Sequence, residues 1–300
     1  MRGKERPGAG KAAPERAAAP PACDHRTMTA RDRIRPRALA ATAAAALLLA
    51  PAAASAEIKS DRERAIRIAA IAGAMALYIT SETVAKGALA PDVCRWCSVG
   101  SLDDGFREAT VWHDTDRARS LSNIVGYGLS PLGIGALLVW SGGSAEPPNT
   151  TRPIDDMIAM FEIVWGTQLV TQVVKISAGR QRPYAHYRSP TEPATPSQDE
   201  NLSFFSGHSS LTFSIAVGAG LIAHRRGYRT EPVIWCAGLS IAATTAYLRM
   251  AADRHYFTDV IAGSAAGALG AVLIPRLTGS LPAGAAVVPQ PNGVALVGRF

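Results

Sequence analysis

The sequence predicts an all-α protein, a bundle of about six core helices embedded in a membrane and ending in a short hairpin-like tail. Three observations carry this. Six apolar segments of helical character recur, at about 66–81, 121–141, 154–176, 209–224, 232–250 and 258–275. Each is near the ~20 residues that cross a bilayer or form a long buried helix. The chain is 48% hydrophobic but only 6% aromatic, with 27 glycines, and small residues let helix backbones approach closely.

The leader comes first. Residues 1–56 hold ten Lys/Arg and four Asp/Glu, so they carry most of the chain's formal charge of +7. The remaining 244 residues are almost neutral, which gives no support to a nucleic-acid partner. Met28 opens a stretch with Arg31, Arg33, Arg35 and Arg37. An apolar run, Ala38 to Ala50, follows, and then Ala54-Ser55-Ala56, a small-x-small cleavage pattern. Residues 28–56 read as an export signal or anchor. Residues 1–27 fit no part of a signal and read as an extension upstream of a start at Met28. An uncleaved first membrane helix or a cytosolic tail remains the alternative.

Residues 57–275 form the helical domain. The segment 84–120 is polar and holds Cys94-Arg-Trp-Cys97 with Asp103, Asp104, His113, Asp114 and Asp116. No metal-ligand spacing repeats there, so it reads as a solvated loop or short amphipathic helix. In an exported protein, Cys94 and Cys97 are a disulfide candidate. Cys236, in an apolar helix, reads as a small core residue. Gly126-x-Gly128 and Gly133-x-Gly135 follow no strand and are no nucleotide fingerprint. The segment 154–176 carries Asp155, Asp156, Glu162, Gln168 and Gln172, a polar stripe that must face other helices in lipid. Residues 184–203, rich in Pro, Ser and Thr, read as an exposed loop or lid. Gly263, Gly267 and Gly270 give the last helix a close-packing face. In the tail, 276–300, Val287-Val288 and Val294–Val297 flank Pro291-Asn292-Gly293, a hairpin pattern.

The chemistry lies in a motif core over 154–275. Lys175 ends one apolar helix, and Arg182 follows seven residues later before Pro183, which stops a helix. Both can converge on one anion. Arg249, at the end of another helix, supplies a third cation. Guanidinium grips phosphate bidentately, while lysine acts as a point charge. Ser206-Gly207-His208 precedes a helix, whose free N–H groups and dipole bind phosphate. His208 is then placed to protonate a leaving group. His255 and Asp259 are four apart, as on one helical face, so the carboxylate is expected to orient one ring nitrogen while the other attacks phosphorus. Asp199, Asp253 and Arg254 lie nearby with no assigned role.

These segments resemble the three signature motifs of the type-2 phosphatidic acid phosphatase and vanadium haloperoxidase superfamily. The pattern is Lys-x6-Arg-Pro, then Pro-Ser-Gly-His, then Ser-Arg-x5-His-x3-Asp. The chain departs from it at Phe205, where Pro is usual, and at Leu248, where Ser is usual. The resemblance implies an all-helical fold around a phosphate site. It implies a phosphohistidine on His255, with His208 as acid and then base. Lys175, Arg182, Ser206, Gly207 and Arg249 would bind phosphate. No cofactor or divalent metal is expected, and vanadate should inhibit.

The expected substrate is a phosphate monoester or diphosphate, on a lipid. The alternatives are a vanadate-dependent haloperoxidase and a non-catalytic lipid-binding protein of the same fold. The short chain and apolar helices disfavour the first, and intact His208, His255 and Asp259 the second. The basic run His224-Arg225-Arg226-Gly-Tyr-Arg229 lies at the helix ends opposite the motifs. The positive-inside rule makes it cytosolic and the site periplasmic, in a bacterial inner membrane. Arg62, Arg64 and Arg67, before the first helix, also argue for a cytosolic start. A cleaved signal followed by six spans would put the site inside, so the leader is no signal, or not every segment spans, or the whole helical chain is exported and only attached to the membrane.

Overall fold

A computed structural model describes residues 58, 60–189 and 197–279, and the backbone of 285–290 and 293–298. The leader calls, on 1–56, lie outside the described residues.

The first helix, α1 (Asp61–Glu82), begins earlier than its apolar run. Ser60 caps it, accepting from the Glu63 N–H at 3.2 Å, and Asp61 and Glu63 face the positive dipole end. Arg62, Arg64 and Arg67 therefore lie inside α1, not before it. Arg64 donates to Asp155 at 2.7 Å and Arg67 to Glu162 at 3.1 Å, so charged pairs seat α1 on α4 (Arg152–Ala178). This is half of the polar stripe's use. Asp156 supplies the rest, accepting from Arg226 at 2.8 Å and from Tyr228.

The polar stretch after α1 is largely helical. Its helix α2 (Ser101–Thr110) buries Asp103. In α3 (Thr115–Gly143), Asp114 caps the start and accepts from the Arg117 N–H at 2.8 Å. The middle, Ile124–Ile134, winds as a π-helix around Pro131, which has no N–H for the ladder. Gly179, in the left-handed region at φ 57°, ends α4. Then come α5 (Gly207–Arg226), α6 (Glu231–Ala251) and α7 (Phe257–Thr278).

Helix α5 is the axis of the bundle. It is packed against α3, α4, α6 and α7, while α1 lies outside on α4. At the basic end, Ile134, Leu138, Met160, Ile215, Ile222 and Ile234 form the apolar core. On α7 the expected close-packing face is present. A Cβ at Gly263 would sit 2.5 Å from the Ser206 carbonyl oxygen, and one at Gly267 would sit 2.4 Å from that of Ser210.

Among the described residues five helices are long and apolar enough to cross a membrane: α1, α3, α4, α6 and α7. The buried axis α5, which carries serines, threonines and basic residues, is not among them. Ile66, Leu77, Leu132, Tyr247 and Leu269 stand exposed on outer faces, as lipid contact requires. Cys236 is exposed as well, on α6, and so is not a core residue. In the tail, β1 (Ala285–Gln290) pairs antiparallel with β2 (Gly293–Gly298), in the register Ala285 to Gly298 and Gln290 to Gly293.

Candidate active site

Four chain segments meet at the end of the bundle away from the basic loop. The turn at Gly179 sends the chain out of α4. Arg95 caps this end, donating to the carbonyls of Ile176 at 2.9 Å and Ser177 at 3.1 Å. Arg95 sits between Cys94 and Cys97, which the structure joins in a disulfide.

Lys175, in the last turn of α4, is buried. No carboxylate pairs with it among the described residues. It adjoins the start of α5, for a Cβ on Gly207 would lie 3.0 Å from its Nζ. Ser206 caps α5, accepting from the Ser209 N–H at 3.3 Å. Among the described residues the N–H groups of Gly207 and His208 have no backbone partner, so they and the dipole form an anion-binding end. Arg249 is buried at the end of α6. It donates to Ser122 Oγ at 3.1 Å, while its Nε has no hydrogen-bond partner among the described residues.

Arg182 is fixed by two carbonyls. Its Nε donates to Asp199 O at 2.8 Å and its Nη1 to Arg254 O at 3.1 Å. The same Nη1 lies 3.3 Å from His255 Nε2. Guanidinium cannot accept, so Nε2 presents its lone pair and the ring proton is on Nδ1. That proton is donated to the Ser203 carbonyl at 2.8 Å. Burial first, then the charges of Arg182, Arg249 and Lys175, hold the His255 pKa well below its usual value. The imidazole is neutral, with one nitrogen aimed among the cations.

Asp259 departs from expectation. His255 precedes α7, whereas Asp259 lies in its first turn, so the two do not share a helical face. Asp259 Oδ2 is 3.8 Å from His255 Nδ1, too far for a hydrogen bond. The Ser203 carbonyl orients the ring instead. Asp259 accepts from Arg180 Nη1 at 2.5 Å, Ser203 Oγ at 2.6 Å and the Tyr256 N–H at 3.0 Å. Arg180 is fully buried between the rings of Trp96 and Tyr256, at 4.2 and 4.3 Å, and its Nη2 donates to Asp103 at 2.6 Å. Asp103 is thus no solvated loop residue.

His208 Nε2 is 2.9 Å from Asn123 Oδ1, and Nδ1 is 3.5 Å from the Tyr127 hydroxyl. Both partners come from α3. A Cβ on Gly126 would lie 3.2 Å from the His208 ring, so the π-wound stretch approaches it closely. Asp199 anchors the described part of the loop before α5, paired with Lys86 at 2.5 Å. Burial raises its pKa, but Arg182, Lys86 and Lys175 outweigh this and bring it to about 2. Phe205 and Leu248, the two departures from the motif pattern, are buried apolar residues.

The structure therefore brings together Lys175, Arg182, Ser206, Gly207, His208, Arg249, His255 and Asp259. Sequence reasoning missed Arg180, Asp103, Ser203, Asn123 and Tyr127. Arg180 alone left a trace, a third cation inside the first motif. Among the described residues no three His, Cys, Asp or Glu side chains gather as a metal site.

Residues 157–281 match the family model described as the PAP2 superfamily. A PA-phosphatase related-family protein of Dictyostelium discoideum is 29% identical over 118 residues, 37% of this chain and 44% of that protein. The chain thus spans less than half the length of this curated relative. A solved structure, described as the first transmembrane PAP2 type phosphatidylglycerolphosphate phosphatase from Bacillus subtilis, aligns at 17% identity with a TM-score of 0.42. That alignment covers 68% of this chain and 93% of the other.

Proposed function

We propose, from the match of residues 157–281 to the PAP2 superfamily model, that this chain is a membrane phosphatase. It hydrolyses a phosphate monoester or diphosphate carried on a lipid. The observation that carries the reading is His255. Its Nδ1 is held by a backbone carbonyl and its Nε2 lone pair faces Arg182, near Lys175 and Arg249, which have no carboxylate partner among the described residues.

In the proposed mechanism the phosphate sits among Lys175, Arg182, Arg249 and the N–H groups opening α5. These donors neutralise the charge spread over the equatorial oxygens in the transition state. His255 Nε2 attacks phosphorus, the ester P–O bond breaks, and His208 gives the leaving oxygen its proton. The phosphorylated imidazole keeps Nδ1–H on Ser203 O, and Asp259, 3.8 Å away, stabilises its positive charge through space. Water then attacks phosphorus, His208 takes its proton, and the N–P bond breaks. No step needs a metal, because three fixed cations already serve the phosphate.

Five helices able to cross a membrane support a membrane location. The site lies at the end of α5 opposite Arg225 and Arg226, which supports an inner-membrane topology with the site facing the periplasm. The test is phosphate release by the purified protein from a panel of lipid and soluble phosphates in EDTA. Activity should persist in chelator, vanadate should inhibit, and acid-labile phosphate should be trapped on His255. Activity lost in EDTA and restored by magnesium or zinc would refute metal independence. Phosphate trapped elsewhere would refute the nucleophile.

A further inference from the structure

The stretch Ser122–Tyr127 of α3 lies outside the residues that match the family model, 157–281, yet it is built into the site. Ser122 Oγ accepts from Arg249 Nη1 at 3.1 Å. Asn123, Gly126 and Tyr127 all meet the buried His208. Asn123 Oδ1 is 2.9 Å from its Nε2, the Tyr127 hydroxyl is 3.5 Å from its Nδ1, and the two rings are 4.2 Å apart. Positions 123 and 127 are about one helical turn apart, so both reach the same ring. Gly126 leaves room for it, since a Cβ there would stand 3.2 Å from the His208 ring and 3.1 Å from Thr245 on α6.

These partners sort the two ring nitrogens. An amide oxygen only accepts, so Nε2 carries a proton and donates it to Asn123. The neutral ring then has its lone pair on Nδ1, where the Tyr127 hydroxyl donates. Burial first, then the charges of Arg249 from α6, Lys175 from α4 and Arg182 from the loop beyond it, hold the His208 pKa well below its usual value. His255, before α7, is neutral and also lies near. Asp259, in α7, is turned to Arg180 and Ser203. No carboxylate pairs with His208 among the described residues, so an amide oxygen is what fixes its proton.

We propose that Asn123 is a positioning residue for the acid: it keeps the Nε2 proton of His208 in place throughout the cycle, so that the proton given to the leaving oxygen, and later taken from water, moves through Nδ1. This rests on the phosphatase reading above. The anionic ester offsets the cations, and Nδ1 takes a proton from water. As His255 Nε2 bonds to phosphorus and the ester P–O bond breaks, the Nδ1 proton passes to the leaving oxygen, which departs as an alcohol. Nδ1 is then bare. It takes a proton from the attacking water as the new P–O bond forms and the N–P bond breaks.

The test compares kcat/KM for an alkyl monophosphate, whose leaving alkoxide needs a proton, with that for p-nitrophenyl phosphate, whose leaving phenolate does not. Both are measured across pH for the full chain in detergent. In Asn123→Leu the ratio of alkyl to nitrophenyl ester should fall about tenfold, the size of one lost charge-assisted hydrogen bond. Asn123→Asp also accepts from Nε2 and adds a negative charge that favours the imidazolium. It should keep the alkyl ester as a substrate and move the alkaline limb of its profile up by about one pH unit. A purely structural role would lower both esters together and leave the limb in place. That result, or Asn123→Asp as defective as Asn123→Leu, overturns the assignment. Heteronuclear NMR of histidine-labelled protein reads the tautomer without turnover, with the His208 signals identified by their loss in His208→Gln. The parent should show a protonated Nε2 and a bare Nδ1 at neutral pH, and Asn123→Leu should lose that preference. A resting proton on Nδ1 instead of Nε2 also overturns the assignment. The expected tautomer in a protein that hydrolyses neither ester would sink the phosphatase reading and leave the hold of Asn123 on His208 standing.

Discussion

At the scale of single residues, the tautomer of His255 decides the chemistry. Ser203 O accepts a hydrogen bond from Nδ1–H, and the Nε2 lone pair is left facing Arg182. Replacing His255 by Ala should abolish phosphate release while helicity by circular dichroism is unchanged. Asp259→Asn removes the carboxylate charge 3.8 Å from the His255 ring and one side of the Arg180 ion triad. It should slow turnover by one to two orders of magnitude, as loss of an orienting carboxylate does, and lower the Tm too. Unchanged kcat would show that Asp259 is only structural. The depressed His255 pKa also gives a signed stability effect. An unfolded histidine takes a proton near pH 6.5, whereas the folded one resists it. Its contribution is therefore present above about pH 6.5 and is lost as pH falls. Tm should decline more shallowly between pH 6.5 and 5 in His255→Gln than in the parent; identical slopes would refute the buried neutral ring. The motif residues were legible because their spacing is local. Arg180 and Asp103 were not, since their contact spans 77 positions and no periodicity encodes it.

Among the elements, α7 and the cysteine loop carry the clearest tests. The glycine face of α7 was readable from four-residue spacing, and it lies on the α5 backbone beside the site. Gly267→Leu must push α7 off α5 and should cost about 1–3 kcal/mol of stability. Its signature is lower activity with a lower Tm, whereas Gly128→Leu, with open space around its Cβ position, should change neither. The disulfide loop places Arg95 on the α4 carbonyls and Trp96 over Arg180. Unfolding without reductant should expose one reactive thiol in residues 57–300, that of Cys236. Ready labelling of Cys94 and Cys97 would mean that cells keep them reduced. Cys236 shows why burial was harder to read than helicity. Lipid is as apolar as a core, so an apolar segment does not say which face is inside. The same ambiguity made α5 resemble a span, although its serines and threonines, folded against α4 and α7, mark it as the axis.

Across the whole molecule, charge is sorted along the bundle. The site end gathers cations that an anion must balance, and the other end carries Arg225, Arg226 and Arg229 around the turn at Gly227. If the five apolar helices cross the inner membrane, the basic turn stays in the cytosol and the site opens outside it. A water-consuming hydrolase needs no nucleotide supply and suits that side. Single cysteines report the orientation when placed on exposed positions of a chain cleared of Cys236. Ser197→Cys, in the loop before α5, should react with a small membrane-impermeant reagent in cells with a permeable outer membrane. Arg229→Cys should be protected until the inner membrane is broken; Gly227 itself is unsuitable, because its φ of 66° disfavours a side chain. Labelling of both would mean that the whole chain is exported and only attached to the membrane. Protection at Ser197 with labelling at Arg229 would invert the topology, and the substrate would then have to be a lipid phosphate of the cytosolic leaflet.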